Sequence, residues 1–245
     1  MIKNLEKYTQ EFYGYGNINS DFWFIGHEEG SKQNSIKELE ERINTWLKLG
    51  ETTLCDCRDF HLELKMRNET PFTKGSPQPT WDAYIQILNQ SKNLNLNNTQ
   101  DKKIFKLYKF ARLNSNHALL ELFPIPCSKI ISWNYSELSN EIEYFSSKET
   151  YRNTVVKFRL EKIKNLINKK KPKIIIFNGI GLNKYPTLVY WQEIIGDVPK
   201  EIIVGKKRFF FLCKNQINYF IIPQLIHTTN EVIFTVTKKI IENLK

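Results

Sequence analysis

Four short apolar runs punctuate the chain: Phe22–Ile25, Leu119–Phe123, Ile174–Phe177 and Tyr219–Ile222. None shows the strict apolar–polar alternation of a half-exposed strand, so each reads as a strand buried on both faces. Helical periodicity fills the intervals. Ser35–Leu49 places Ile36, Leu39, Ile43, Trp46 and Leu47 at helical spacing, and Trp81–Leu88 forms a shorter helix with Thr80 as its cap. Tyr151–Asn168 carries Val155, Phe158, Leu160, Ile163, Leu166 and Ile167 largely along one face, and Val232–Leu244 closes the chain. Gly205 separates Glu201–Val204 from Phe209–Cys213, which predicts a β-hairpin. Strands alternating with helices predict an α/β fold: a three-layer α/β/α sandwich around a central, mainly parallel four-stranded sheet. One domain spans residues 1–245, with a mostly helical insertion at about 31–118 between the first two strands.

Composition adds a charge argument. The chain has 245 residues and is 41% hydrophobic, enough for a substantial core. With 36 Lys+Arg against 26 Asp+Glu its formal charge is +10 and its pI about 9.3. That excess favours a polyanionic partner, nucleic acid above all, although a Lys- and Asn-rich composition alone produces the same number. No apolar stretch approaches the ~20 residues of a membrane span, and the first residues lack the apolar core of a signal peptide. A cytoplasmic protein with no membrane partner is expected. Cys55-Asp56-Cys57 has a one-residue gap, unlike a zinc knuckle, and Cys127 and Cys213 read as buried free thiols. No metal is expected.

Ligands of open α/β sheets bind outside the carboxyl ends of the strands. Four segments would meet there: Gly26–Gly30, Pro124–Ser128, Asn178–Asn183 and Gln224–Asn230. They bring His27, Glu28, Glu29, Asn178, His227, Thr228, Thr229 and Asn230 to one edge. A carboxylate and an imidazole facing one pocket suit chemistry in which the transition state separates charge. The plainer alternatives are a solvated acidic turn at Glu28-Glu29 and, at His227, a neighbour of the cap of the last helix. No phosphate-binding Gly-Lys-Ser/Thr loop is present, Gly179-Ile180-Gly181 lacks a third glycine, and there is no serine elbow. Simple NTPase, dehydrogenase and serine-hydrolase readings lose ground accordingly.

Taken together these segments resemble the uracil-DNA glycosylase superfamily. The resemblance rests on Gly26-His27-Glu28-Glu29-Gly30 after the first strand, on Lys171-Pro172-Lys173-Ile174-Ile175-Ile176-Phe177-Asn178-Gly179, and on His227-Thr228-Thr229-Asn230 before the closing helix. It implies removal of a base from DNA by hydrolysis of its N-glycosidic bond, without metal or other cofactor, on a nucleotide flipped into a pocket. Glu28 would stabilise the cationic sugar or position water, and His227 would hold or protonate the leaving base. Gly26, His27, Glu29, Gly30, Phe123 and Asn178 would line the pocket, and Thr228, Thr229 and Asn230 would lie against the DNA backbone.

The departures shape what is expected of the substrate. Glu28 stands where the family has Asp or Asn, and Glu29 where Pro is usual. The second strand, Leu120-Glu121-Leu122-Phe123, has no Asn to read a uracil edge, and His227 is followed by Thr. The cysteine spacing also departs from the iron–sulfur pattern of some members. A modified or damaged base is therefore the expected substrate, a hypermodified cytosine of phage DNA in a defence role being one such case. Plain uracil in base-excision repair and a catalytically silent DNA-binding module are the alternatives. The loop Thr70–Trp81 offers Phe72 for stacking on a flipped base, with Trp81 anchoring the following helix. Lys74, Lys129 and Lys184 leave the carboxyl edge and suit phosphate contacts; Lys169–Lys171 sit at a helix end, away from the pocket. Lys206-Lys207-Arg208, in the hairpin turn, fits either side. A monomer with no obligate protein partner completes the expectation.

Overall fold

The computed structural model describes residues 3–31, 35–64, 72, 78–129, 132–180, 187–225 and 229–244. Among them eight strands form one mixed sheet in the order β3-β1-β4-β2-β5-β8-β7-β6. These are β1 (Gly14–Gly16), β2 (Phe22–Gly30), β3 (Leu54–Cys55), β4 (His117–Cys127), β5 (Ile174–Asn178), β6 (Lys200–Val204), β7 (Lys207–Lys214) and β8 (Ile217–Ile222). The α/β class stands, but the four-stranded sheet is corrected to eight. The hairpin expected around Gly205 forms as β6–β7 and joins the sheet antiparallel beside β8, and the unforeseen strands are the short β1 and β3 at the far side. Short Gly-rich or two-residue strands carry no periodic signal, which is why the sequence does not announce them.

β2 pairs in parallel with β4 and with β5, and β5 in parallel with β8. The apolar runs form the buried middle of these strands: Phe22–Ile25, Leu119–Leu120, Ile174–Phe177 and Ile217–Ile222 are all buried. Helices cover both faces. The Phe24 ring lies 4.2 Å from that of Tyr84 in α4 (Pro79–Lys92). Phe177, laterally paired with Ile25, stacks at 4.8 Å on Trp191 of α7 (Thr187–Ile195). Neighbouring residues of a strand point to opposite faces, so α4 and α7 lie on opposite sides.

Four helices, α2 (Ile36–Lys48), α3 (Cys57–Glu63), α4 and α5 (Thr99–Tyr108), occupy the stretch between β2 and β4. Side-chain caps start most of them: Ser35 accepts from the Glu38 amide, Asp56 from Arg58 and Asp59, and Asn98 from Asp101. The Cys55-Asp56-Cys57 spacing is thus a helix start between two buried thiols. Thr80 is not the cap of α4; the helix begins at Pro79, whose fixed φ suits the first helical position. Cys213 is exposed rather than buried, because burial along β7 ends at Phe210.

The long helix α6 (Lys148–Lys170) runs from the carboxyl edge of β4 back to the start of β5. Midway along it, Arg159 is fully buried. It donates to the carbonyls of Thr9 (2.9 Å), Phe12 (2.7 Å), Glu121 (2.7 Å) and Leu122 (2.7 Å), and its guanidinium lies 3.6 Å from the Tyr13 ring centroid. One side chain therefore ties α6 to β4 and to the end of α1 (Leu5–Glu11). Replacing Arg159 with Met leaves these carbonyls without their donor, and is expected to cost about 3–5 kcal/mol of stability in urea unfolding at neutral pH.

Candidate functional site

Gly26 does not end β2. The strand continues to Gly30, pairing Gly26 with Glu121, Glu28 with Phe123 and Gly30 with Cys127, with a register shift between Glu28 and Gly30. The expected turn at Gly26–Gly30 is therefore corrected to strand. Glycine is needed at 26 for closeness: a Cβ there would stand 2.4 Å from Glu121 Oε2. Gly30 meets no such neighbour and is open.

This extension carries two carboxylates into different surroundings. Glu29 is held by α2 and α3. Arg42 donates to both its oxygens (2.9 and 3.1 Å), Tyr15 Oη donates at 2.8 Å, and His61 Nε2 lies 3.3 Å away. His61 Nδ1 in turn lies 2.7 Å from the Cys57 carbonyl, so both ring nitrogens face acceptors. Burial alone would raise the Glu29 pKa, but Arg42 and the His61 contact more than reverse it and hold the carboxyl well below its ordinary range. Glu29 is thus anchored between β1, α2 and α3.

Glu28 is held by α6. Lys148 Nζ donates to Oε1 at 2.8 Å, and Arg152 Nη2 reaches both oxygens at 3.4 Å. All three side chains are nearly buried, at 10%, 8% and 5% exposure for Glu28, Lys148 and Arg152. His27 Nδ1 lies 3.9 Å from Glu28 Oε2, and its ring is 4.9 Å from Phe123. Burial first, then Arg152 and Lys148, push the His27 pKa down to about 3, so the ring is neutral. Phe123 is buried against Tyr151 and under the Arg152 guanidinium. The result is one carboxylate and two cations, almost dry, beside an aromatic wall.

Asn178, at the end of β5, accepts from the Leu225 amide at 3.0 Å and hydrogen-bonds Tyr84. Phe72 is buried, 5.8 Å from both His61 and Trp81, and Trp81 packs against Phe110. Both belong to an aromatic cluster under the helical insertion. Thr229 and Asn230 are exposed at the start of α8 (Asn230–Leu244), and Thr229 Oγ1 accepts weakly from the Val232 amide at 3.4 Å. Lys129 is exposed, and its carbonyl accepts from Lys148 at 3.2 Å, so it stands beside the Glu28 cluster. His227, Thr228, Lys74 and Lys184 lie outside the described residues.

The hairpin position is settled by register. β7 runs antiparallel to β8 with Phe210 opposite Ile221, so the two-residue turn Gly205-Lys206 stands at the carboxyl edge. Gly205 takes the positive φ of 58° that this tight turn requires. An open depression of about 410 Å³ lies beside it, lined by Ile180, Ile203, Lys206, Lys207, Arg208 and Pro223 among others.

Sequence reasoning missed Arg42, His61, Lys148, Arg152 and Tyr84, which are remote in sequence from the strand ends they serve. It noted Glu121 only as the absence of an Asn. Among the described residues no three His, Cys, Asp or Glu side chains gather as a metal-holding group. No helix of the described residues is long and apolar enough to cross a membrane. Comparison with protein-family models, curated proteins and solved structures yields no match to this chain.

The Glu29 network gives a pH signature. A depressed carboxyl contributes stability that is full above the ordinary value of about 4.3 and is lost as pH falls through its lower folded value. Glu29→Gln is expected to lose about 3 kcal/mol at pH 7. The gap between wild type and variant should close as unfolding is followed down through pH 4 to pH 2.

Proposed function

We propose that this chain is a DNA glycosylase that hydrolyses the N-glycosidic bond of a flipped-out modified or damaged base. The observation that carries the reading is the Glu28–Lys148–Arg152 cluster at the carboxyl edge of the parallel strands. Cleavage of an N-glycosidic bond develops positive charge on the sugar and negative charge on the departing base. A nearly dry carboxylate flanked by two nearly dry cations offers both signs in fixed positions, without reorganisation at the moment of reaction. Glu28 is the group that faces the sugar in this reading. Lys148 and Arg152 serve the base side, and neutral His27 with Phe123 walls the pocket.

DNA is the proposed partner. The supporting observation is the collection of Lys129, Thr229, Asn230 and the Lys206–Arg208 turn at the same edge, on a chain of charge +10. Because Arg208 pairs with Glu201 at 3.2 Å, Lys206 and Lys207 are the freer cations there. Phosphate contacts predict that log affinity falls with log salt by about 0.9 per contact on duplex DNA. Removing a base that the second strand has no Asn to read points to a modified base, within phage defence or repair.

A second reading, a DNA-binding module without catalysis, draws on one observation: Glu28 and Glu29 are both already ion-paired. A single experiment separates the two. Purified protein, without added metal, is incubated with DNA containing uracil, hypoxanthine, alkylated bases, hydroxymethylcytosine or its glucosylated form, and released base and alkali-sensitive sites are measured. Release from one substrate, reduced at least a hundredfold in Glu28→Ala with DNA affinity retained, is the expected result. Salt-sensitive binding with no release from any substrate would sink the glycosylase reading in favour of the silent module.

A further inference from the structure

The carboxyl of Glu121 is unused by anything described so far. It lies on β4 opposite Gly26, one strand over from Glu28. The residue is half-buried, yet its Oε2 is shielded from solvent and has no hydrogen-bond partner. Oε2 lies 2.4 Å from where a Cβ on Gly26 would stand. Burying a polar atom without a partner is costly, and such atoms are rare in folded proteins. Nothing in the packing of β4 demands a carboxyl here: the strand is otherwise apolar from Ala118 to Cys127. An apolar side chain there would leave no polar atom without a partner. The cost is explained if a ligand supplies the missing partner.

Its charged neighbourhood decides the form in which Glu121 meets that ligand. Burial, followed by the charges of Glu29 and Glu28 on β2, raises its pKa well above the ordinary carboxylate value, against a lowering by Arg159 of α6. Tyr84 of α4 also faces it, its hydroxyl pKa raised first by burial, with a hydrogen bond to Asn178 acting the other way. Arg159 spends its donors on backbone carbonyls, including that of Glu121 itself, and forms no ion pair with the carboxyl. A neutral carboxyl presents one O–H donor and one C=O acceptor side by side, whereas a carboxylate presents acceptors only.

We propose that Glu121 is a catalytic acid that pairs with the edge of an amino-bearing base and gives its proton to the adjacent ring nitrogen as the glycosidic bond breaks. The inference rests on the glycosidic reading for the bond that is cut. The C=O of Glu121 accepts from the exocyclic amine, and its O–H donates to the unprotonated ring nitrogen beside that amine. Cytosine-type and adenine-type bases present this pair. When the C1′–N bond breaks, its electron pair goes to the base, and the Glu121 proton neutralises the charge at the ring nitrogen. Water adds to C1′ and gives up a proton, which restores the neutral carboxyl. Uracil and hypoxanthine already carry hydrogen on the corresponding nitrogen and cannot take this proton there, so the substrate class is the amino base.

The test has one arm that needs no turnover. Free cytosine is titrated into the full-length wild type, Glu121→Ala and Glu121→Gln by calorimetry, with thermal unfolding confirming that each variant is folded. Glu121→Ala should weaken binding about tenfold or more. Glu121→Gln, which keeps one donor and one acceptor, should bind within about threefold of wild type. In the turnover arm, Glu121→Gln should lower kcat at least a hundredfold with little change in KM. It should also abolish the decline in rate that wild type shows as pH rises and Glu121 loses its proton. Cytosine binding that is absent, or indifferent to Glu121→Ala, overturns the proposal whether or not the protein releases a base. Release of uracil or hypoxanthine as the preferred product overturns the substrate class while leaving the glycosylase reading intact. Absence of release from every DNA, with Glu121-dependent cytosine binding preserved, removes the glycosylase reading and the acid step together and leaves Glu121 as a base-binding group only.

Discussion

The position of β4 depends on a buried guanidinium. Arg159 has no carboxylate partner; its charge is dispersed over four backbone carbonyls and an aromatic ring. Two of those carbonyls belong to the N-terminal segment and two to β4, at Glu121 and Leu122. The same bonds that dock α1 against the body of the protein therefore hold β4 at Glu121 and Leu122, where it pairs with the end of β2. Because Gly26 and Glu121 face each other across that pair, the spacing of the strand ends follows from an interaction on the far side of the sheet. A cation paired with a carboxylate would have satisfied its charge locally. Paired with carbonyls, it holds several segments at once.

Three carboxyls at neighbouring positions of two strands have been given three different electrostatic fates. Glu29 receives Arg42, Tyr15 and His61 and is locked in ionised form. Glu28 receives two cations from the first turns of α6, one of which also lies over the Phe123 ring. Glu121 receives no cationic side chain on its oxygens and pays in its proton affinity for standing near the other two. The helices that cover the sheet thus give Glu29 and Glu28 different cationic partners and leave Glu121 with none on its oxygens. Divergent acid–base environments over such short distances are what functional sites use to separate acid from electrostatic roles.

The cores of the parallel strands were legible because continuous apolar runs have few alternatives in an α/β chain. Phe22 and Ile174 start strands where the pattern begins, and α2, α6 and α8 follow their apolar faces to within a few residues. Strand ends were not legible. β2 and β4 pair on past their apolar stretches through Glu28 and Cys127, since backbone hydrogen bonds are indifferent to the side chains they carry. Gly26 follows an apolar run and so suggests the end of a strand, but glycine marks close approach as well as turns, and only the partner strand tells which. The partners of Glu28 and Glu29 are also invisible in one dimension. Lys148 is 120 residues from Glu28, and His61 is 32 from Glu29. Cys213 sits in an apolar run yet is exposed, because an apolar run near a sheet's edge has less to pack against.

The two edges of the sheet have a consequence for how copies of this chain behave together. An open sheet invites another chain to pair with its last strand, and eight strands leave two such invitations. On one side β3 has only two residues, too few to template an added strand. On the other, β6 is full length and carries the exposed Ile203, but it begins with exposed Lys200 and Glu201, and the turn after it adds Lys206. Like charges brought into register at that edge oppose stacking of identical strands. The charges at this edge are thus a protection against self-aggregation, whatever else the hairpin does.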